Sequence, residues 1–220
     1  MATIVEDPRV RTKRLFIRLP SEAMRSEFAQ TFRADSEHSA AYAPQFLGDE
    51  DHPYLGTVRA AVDAGIPVIF AAGNNHFDVK CMHDPSACSP NTIWGANSDD
   101  AVLSVGTVNR AESNRDASTP HANSSRGPGQ WARNHLKPDC VAPTYGETVW
   151  GNGYRAMDWW GTSGAAPQAA GLAALLLSLK PSLTPQQVYD IIRESSRRLE
   201  GHGNCVGHGL IDCDAAVKLL

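Results

Sequence analysis

Residues 161–167, Gly161-Thr162-Ser163-Gly164-Ala165-Ala166-Pro167, set a serine among small side chains at the head of an apolar run that continues to Leu179. A serine at a helix N-terminus stands among backbone N–H groups that have no intrahelical acceptor, at the positive end of the helix dipole. Both features favour the negative oxygen that develops when a hydroxyl attacks an acyl group. Gly161, Gly164 and Ala165 are small enough to let a peptide backbone approach. Taken alone, the same serine serves equally well as the cap of a buried helix. It does not form the nucleophile elbow of α/β-hydrolases, which places glycine two residues after the serine, where this chain has Ala165.

The elements around this serine follow from hydrophobic patterning. Ala165 to Leu179 is apolar all round, which predicts a helix buried on every face, ended by Lys180 and Pro181. Its longest apolar stretch, Ala169–Leu179, is shorter than a bilayer requires, so no membrane partner is expected. From about Tyr54 a helix carries Leu55, Val58 and Val62 on one face and stops at Gly65. Val68 to Ala72 is an unbroken apolar run, as expected for a parallel strand covered on both faces. Further strands are expected over Val102–Val108 and around Cys140–Ala142, giving an α/β layer architecture built on a parallel sheet. Thr184, Pro185 and Gln187 read as N-cap, first helical residue and capping-box partner of an amphipathic helix with Val188, Ile191, Ile192 and Ser195 on one face. A short helix over Asp212–Leu219 closes the chain. Residues 1–50 differ in character, with charge clusters and a helix expected over Glu22–Arg33 behind Ser21, its Met24, Phe28 and Phe32 on one face.

The serine segment, continuing into Gln168-Ala169-Ala170-Gly171, closely resembles the serine signature of the subtilases, Gly-Thr-Ser-x-Ala-x-Pro followed by a variable residue, a small residue, Ala and Gly. Upstream, Ala71-Ala72-Gly73-Asn74 resembles the strand end that holds the family's oxyanion-hole asparagine, though an Asn pair after a strand is also an ordinary turn. Val102-Leu-Ser-Val-Gly106, Asn123-Ser-Ser-Arg-Gly127, Lys137-Pro-Asp-Cys-Val-Ala-Pro143 and Gly207-His-Gly-Leu-Ile-Asp212 resemble further family segments in the family's order. The resemblance covers about residues 54–220. It implies a subtilisin-like fold, incomplete at its N-terminal side, with 54–220 as the C-terminal part of a catalytic domain and 1–50 unassigned. It implies Ser163 as nucleophile, Asn74 in the oxyanion hole, Gly73, Gly161 and Thr162 as substrate-binding residues, and a peptide or protein as substrate. Losing a side-chain oxyanion donor costs about 3 kcal/mol, a magnitude measured on subtilisin itself.

The departures are as informative. The triad runs Asp, His, Ser in this family, so the base belongs upstream of Ser163. The family's His-Gly-Thr-His, Asp-Ser/Thr-Gly and Ser-Leu-Gly segments have no counterpart; His38 and His52 sit in solvated loop contexts, His76 is a sequence neighbour of Asn74, and His121, His135, His202 and His208 fall in turns. These features imply a fragment, a mispredicted gene product or a pseudoenzyme, with the missing N-terminal half of the domain as a partner and a non-catalytic peptide-binding module as the alternative.

Composition bounds the remaining classes. The 220 residues, 42% apolar, can build one sizeable core, and a formal charge of −4 without a basic stripe makes nucleic acid an unexpected partner. Arg9, Arg11, Lys13 and Arg14 precede only Leu15, Phe16 and Ile17, too little for the apolar core of a signal peptide, and the compartment stays unassigned. Five cysteines include two local pairs, Cys81 with Cys88 and Cys205 with Cys213. The first pair, near His76 and His83, is open to a disulfide, free thiols or a metal, while Cys140 reads as a small buried hydrophobe. No acidic loop has calcium spacing, and no cofactor or metal is expected.

Overall fold

The computed structural model of the protein describes residues 3–5, 14–16, 53–76, 92–109, 119–144, 146–150, 153–159, 161–200 and 203–220. The chain divides into two compact units, Met1–Asp49 and Glu50–Leu220. In the first, strands β1 (Thr3–Val5) and β2 (Arg14–Phe16) pair antiparallel, with Ile4 opposite Leu15. Sequence patterning did not reveal this ladder, and the helix expected over Glu22–Arg33 lies outside the described residues.

The second unit runs α1 (Pro53–Asp63), β3 (Ile69–Ala71), β4 (Leu103–Val108), β5 (Cys140–Pro143), β6 (Gly146–Trp150), β7 (Gly153–Trp159), α2 (Thr162–Leu179), α3 (Pro185–Ser195), α4 (Gly203–Val206) and α5 (Cys213–Lys218). Strands β3, β4 and β5 form a parallel sheet in that order, with Ile69 beside Leu103 and Val105 beside Cys140. All six residues of β4 are buried, as an unbroken apolar run requires when both neighbours and both faces are covered. On one face Leu103, Val105, Cys140 and Ala142 meet Ala165, Ala169, Leu172 and Leu176 of α2 and Val188 and Ile192 of α3. The pleat sends alternate residues the other way, where Phe70 and Val102 join Leu55 and Val58 of α1.

Several expectations need correcting. Helix α2 starts at Thr162, not Ala165, which takes Ser163 into its first turn. It is not buried on every face: Ala170, Gly171, Ala174, Leu175, Ser178 and Leu179 are exposed, because the sheet, α3 and α5 pack against its other sides only. Counted from Thr162, α2 is long and apolar enough by length and composition alone to cross a membrane, yet its packing on the sheet is that of a core helix. Strand β3 packs on both faces, Ile69 toward α2 and Phe70 toward α1, but its residues are only half-buried; among the described residues its one strand partner is β4. The antiparallel pair β6 and β7, in which Trp150 stands opposite Gly153, was not anticipated. The local pair Cys205 with Cys213 does not form: Cys205 is buried on α4 and disulfide-bonded, whereas Cys213 is an exposed free thiol on α5. The two sulfurs therefore face opposite environments. Cys81 and Cys88 lie outside the described residues. Cys140 is a buried free cysteine whose thiol burial pushes well above the usual range.

The remaining helices end as their caps dictate. Thr184 Oγ1 accepts from the Gln187 N–H at 3.3 Å, and Gln187 Oε1 accepts from the Thr184 N–H at 2.9 Å, the reciprocal capping box read from sequence. Asp212 caps α5 by accepting the Ala215 N–H at 2.9 Å.

A buried ionic cluster fastens α3 to the sheet. Directly ahead of β5, Asp139 Oδ2 takes the Lys137 ammonium at 2.7 Å and the Ser104 N–H at 2.6 Å, while Oδ1 takes Arg193 Nε at 2.9 Å. The Lys137 ammonium also donates to Val102 O at 2.7 Å. Nearby, the Tyr189 hydroxyl accepts the Val68 N–H at 2.6 Å and donates to Val68 O at 3.0 Å; burial pushes this phenol up to about 12. Asp139→Asn would leave the buried Lys137 ammonium without an anion and Arg193 with only its Asp190 partner at 2.9 Å, and breaking a buried pair in this way costs about 3–5 kcal/mol. Urea unfolding of the variant is expected to show a loss of that size; a loss below about 1 kcal/mol would mean that the cluster does not hold the fold.

Candidate active site

The loop after β3 is shaped by two contacts that admit little variation. The Ala72 N–H still pairs with Val105 O at 2.9 Å, and the chain then turns at Gly73, whose φ of +107° suits glycine. A Cβ there would lie 2.9 Å from Ser125 Oγ and 3.0 Å from Asn75 Nδ2. The serine turn backs this loop: the Ser125 N–H donates to Gly73 O at 2.9 Å, and Ser125 Oγ accepts the Asn75 N–H at 3.0 Å. Between these anchors stands Asn74.

Helix α2 opens against that asparagine. Its N-cap, Gly161, has φ +75° and offers no side-chain cap; its N–H donates to Thr144 Oγ1 at 2.7 Å. The Thr162 N–H and hydroxyl both donate to Asn74 Oδ1, each at 3.0 Å, across 88 positions of sequence. A backbone N–H can only donate, so this contact assigns the oxygen and leaves the Asn74 NH2 as the group available to another acceptor. A Cβ on Gly161 would lie 2.9 to 3.2 Å from three atoms of the Asn74 carboxamide, so glycine is required there for close approach as well as for its φ. Ser163 follows Thr162 as the second residue of α2 and is exposed, while Thr162 is buried.

The structure thus brings Gly73, Asn74, Gly161 and Thr162 into one cluster with Ser163 adjoining it in the helix's first turn. Two residues of this neighbourhood escaped sequence reading. Thr144 follows the Ala-Pro pair at the end of β5, and Gln168 Nε2 donates both to Pro143 O at 2.8 Å and to Gly164 O at 2.9 Å. Their signal was positional only, since neither residue type advertises such a role.

His38, His52, His83 and His202 lie outside the described residues. His76 is fully buried, its backbone N–H donating to Asn123 O at 3.3 Å. His121 Nδ1 accepts the Asn123 N–H at 3.2 Å, and burial holds this imidazole below its ordinary value of 6.5. His135 and His208 are lowered too, first by burial and then by the positive field of Arg193. A histidine whose folded pKa lies below its unfolded value binds fewer protons when folded, so stability rises with pH across that window. These three should give full stability above the ordinary histidine value of 6.5 and a progressive loss as pH falls below it. Melting temperature is expected to drop between about pH 7.5 and 5.5 and to drop less in His121→Gln. A flat profile for the wild-type chain would contradict this assignment.

Residues 38–209 match the Subtilase family, so the match begins upstream of the motifs that carry the resemblance. The serine protease AprX of Bacillus subtilis is 30% identical over 186 residues, covering 77% of this chain and 39% of that protein. Subtilisin E of the same species is 34% identical over 163 residues, covering 73% of this chain and 36% of that protein. The chain therefore spans well under half the length of these two curated relatives. Among solved structures, a protease of Pseudoalteromonas arctica aligns with a TM-score of 0.55 at 22% identity, over 77% of this chain and 47% of that one. The self-cleaved protease domain of PatA aligns with a TM-score of 0.58 at 22% identity, over 79% and 57%. These alignments establish the α/β subtilisin-like fold, and the family match makes the chain a member of the subtilases, a family of serine-type peptidases.

Proposed function

We propose that this chain carries the nucleophile and the oxyanion hole of a serine endopeptidase acting on peptide or protein substrates. The observation that supports it best is the pair of hydrogen bonds from Thr162 to Asn74 Oδ1, which turns the carboxamide so that its NH2 is the donating end beside the first turn of α2. In this reading Ser163 Oγ adds to the scissile carbonyl carbon. The oxyanion so formed accepts from Asn74 Nδ2 and the Ser163 N–H, two fixed donors that need no reorganisation as charge develops. The backbone at Gly73 and Gly161 lets the peptide lie close.

The proton of Ser163 needs a base, and a serine without one is a weak nucleophile. In our reading the histidine and its orienting carboxylate are supplied from outside the segments that carry the resemblance. The exposed apolar face of α2, and a strand β3 that among the described residues has β4 as its one strand partner, support a further segment packed there, because an apolar helix face and an unpaired strand side both favour a cover. The lack of a His-Gly-Thr-His segment favours a second reading, a subtilase-like module that binds peptides without cleaving them.

A fluorophosphonate probe separates the two. The first reading expects slow labelling that peptide mass spectrometry maps to Ser163, slowed by a further factor on the order of 100 to 1000 in Asn74→Ala. Peptide hydrolysis by the chain alone should stay near background, since removal of the histidine in subtilisin lowers turnover about a million-fold. Labelling elsewhere, or labelling of Ser163 that ignores Asn74, would contradict the first reading. Ser163-dependent hydrolysis on the order of 1 to 1000 per second would show that the base is already in this chain.

A further inference from the structure

We infer that Thr144, with Gln168 as its second strap, is a positioning residue that registers the turn bearing Ser163 against the end of β5; the inference rests on the reading of Ser163 as nucleophile. Thr144 is buried and directly follows β5. Its own N–H donates to Val108 O at 3.1 Å, which anchors it to the last residue of β4. Its Oγ1 accepts the Gly161 N–H at 2.7 Å, tying the approach to the helix onto the sheet. One residue earlier, Pro143 O accepts from Gln168 Nε2 at 2.8 Å, and the same nitrogen reaches Gly164 O at 2.9 Å. Two successive residues at the end of β5 thus hold α2 on either side of Ser163, at Gly161 and at Gln168.

Displacement of this turn would reach the nucleophile. Gly161 fits against the Asn74 carboxamide with no room for a Cβ, and Thr162, the next residue, supplies both hydrogen bonds that orient Asn74 Oδ1. Gly161 has no side chain and sits at φ +75°, so it cannot fix its own position. The group that does so is the Thr144 hydroxyl. A shift of the turn would move Thr162 and Ser163 together relative to Asn74, and misplacement of about 1 Å at a reacting centre can cost on the order of a hundredfold. The clamp acts through Gly161 and Thr162 and touches no reacting atom.

The test compares the wild-type chain with Thr144→Val, Thr144→Ser and Gln168→Leu by two measurements. One is hydrogen exchange of the Gly161 amide, followed by NMR, which requires no reactive serine. The other is affinity for a peptide boronic acid, followed by boron-11 NMR. In that adduct the Ser163 oxygen adds to trigonal boron, boron becomes four-coordinate and anionic, and the hydroxyl proton passes to solvent. Thr144→Val is expected to speed Gly161 exchange and to weaken the boronate by about tenfold to a hundredfold; Thr144→Ser restores both; Gln168→Leu weakens the boronate several-fold. Rescue by serine marks the hydroxyl as the cause, since a general loss of packing would not be repaired by the smaller side chain. Exchange and affinity in Thr144→Val within twofold of wild type, or a serine variant as impaired as the valine one, overturns the inference. If Thr144→Val does not fold, an unchanged boronate affinity in Gln168→Leu together with unprotected Gly161 exchange in a folded Thr144→Ser overturns it. If the wild-type chain forms no adduct, the nucleophile reading fails, and Gly161 exchange alone decides whether Thr144 holds the turn.

Discussion

A carboxylate sealed inside a protein must be fully paired or it costs several kcal/mol, and Asp139 meets that demand by drawing on most of the second unit. Its Oδ2 gathers a backbone N–H from β4 and the ammonium of Lys137, which itself reaches Val102 O just ahead of β4; its Oδ1 gathers the Arg193 guanidinium from α3. The Asp139 carbonyl accepts the His208 N–H at 2.9 Å, so the C-terminal turn is tied in as well. Each of these partners is satisfied only if β4, β5 and α3 hold their mutual positions. The apolar core drives the layers together without directional preference, and the Asp139 cluster fixes their register.

The site follows from that register and from the parallel sense of the sheet. Parallel strands end on the same edge, so the loop that leaves β3 at Asn74 and the segment that leaves β5 at Thr144 emerge side by side. Helix α2 packs across the same strands with its N-terminus at that edge, as its hydrogen bonds to both segments show. Glycines at 73 and 161 remove the side chains that would hold these segments apart. The result is an asparagine whose oxygen is occupied and whose nitrogen is left to donate, beside a helix start that carries an exposed serine. In the proposed reading, the Asn74 nitrogen and the Ser163 N–H are the preorganised pair of donors that acyl transfer requires.

Much of this was legible in sequence where a single local cause decides the outcome. The capping box at Thr184, the stop at Gly65 and the continuous burial of β4 each follow from a few adjacent residues. Ser163 and Asn74 were singled out as candidates by their neighbours, and the structure brings them close through the Thr162 hydrogen bonds to Asn74. What could not be read depends on partners remote in sequence. Arg193 on a helix face looks like any surface arginine until Asp139 is placed beneath it, 54 positions away. Thr144 gains meaning only when Gly161 arrives 17 positions later. The even apolarity of α2 suggested burial on every side, but apolarity records what a surface is suited to meet, and here one face is left exposed. Spacing alone paired Cys205 with Cys213, although their burial sends the two sulfurs in different directions.

If the site works as proposed, Asn74 Nδ2 and the Ser163 N–H converge on one oxygen. A crystal structure of the chain after reaction with a small fluorophosphonate reads this out, because the phosphoryl oxygen of the adduct stands where the oxyanion would. The expected structure has phosphorus bonded to Ser163 Oγ and that oxygen about 3 Å from both donors. A phosphoryl oxygen turned to solvent, with the Asn74 carboxamide out of reach, would contradict it.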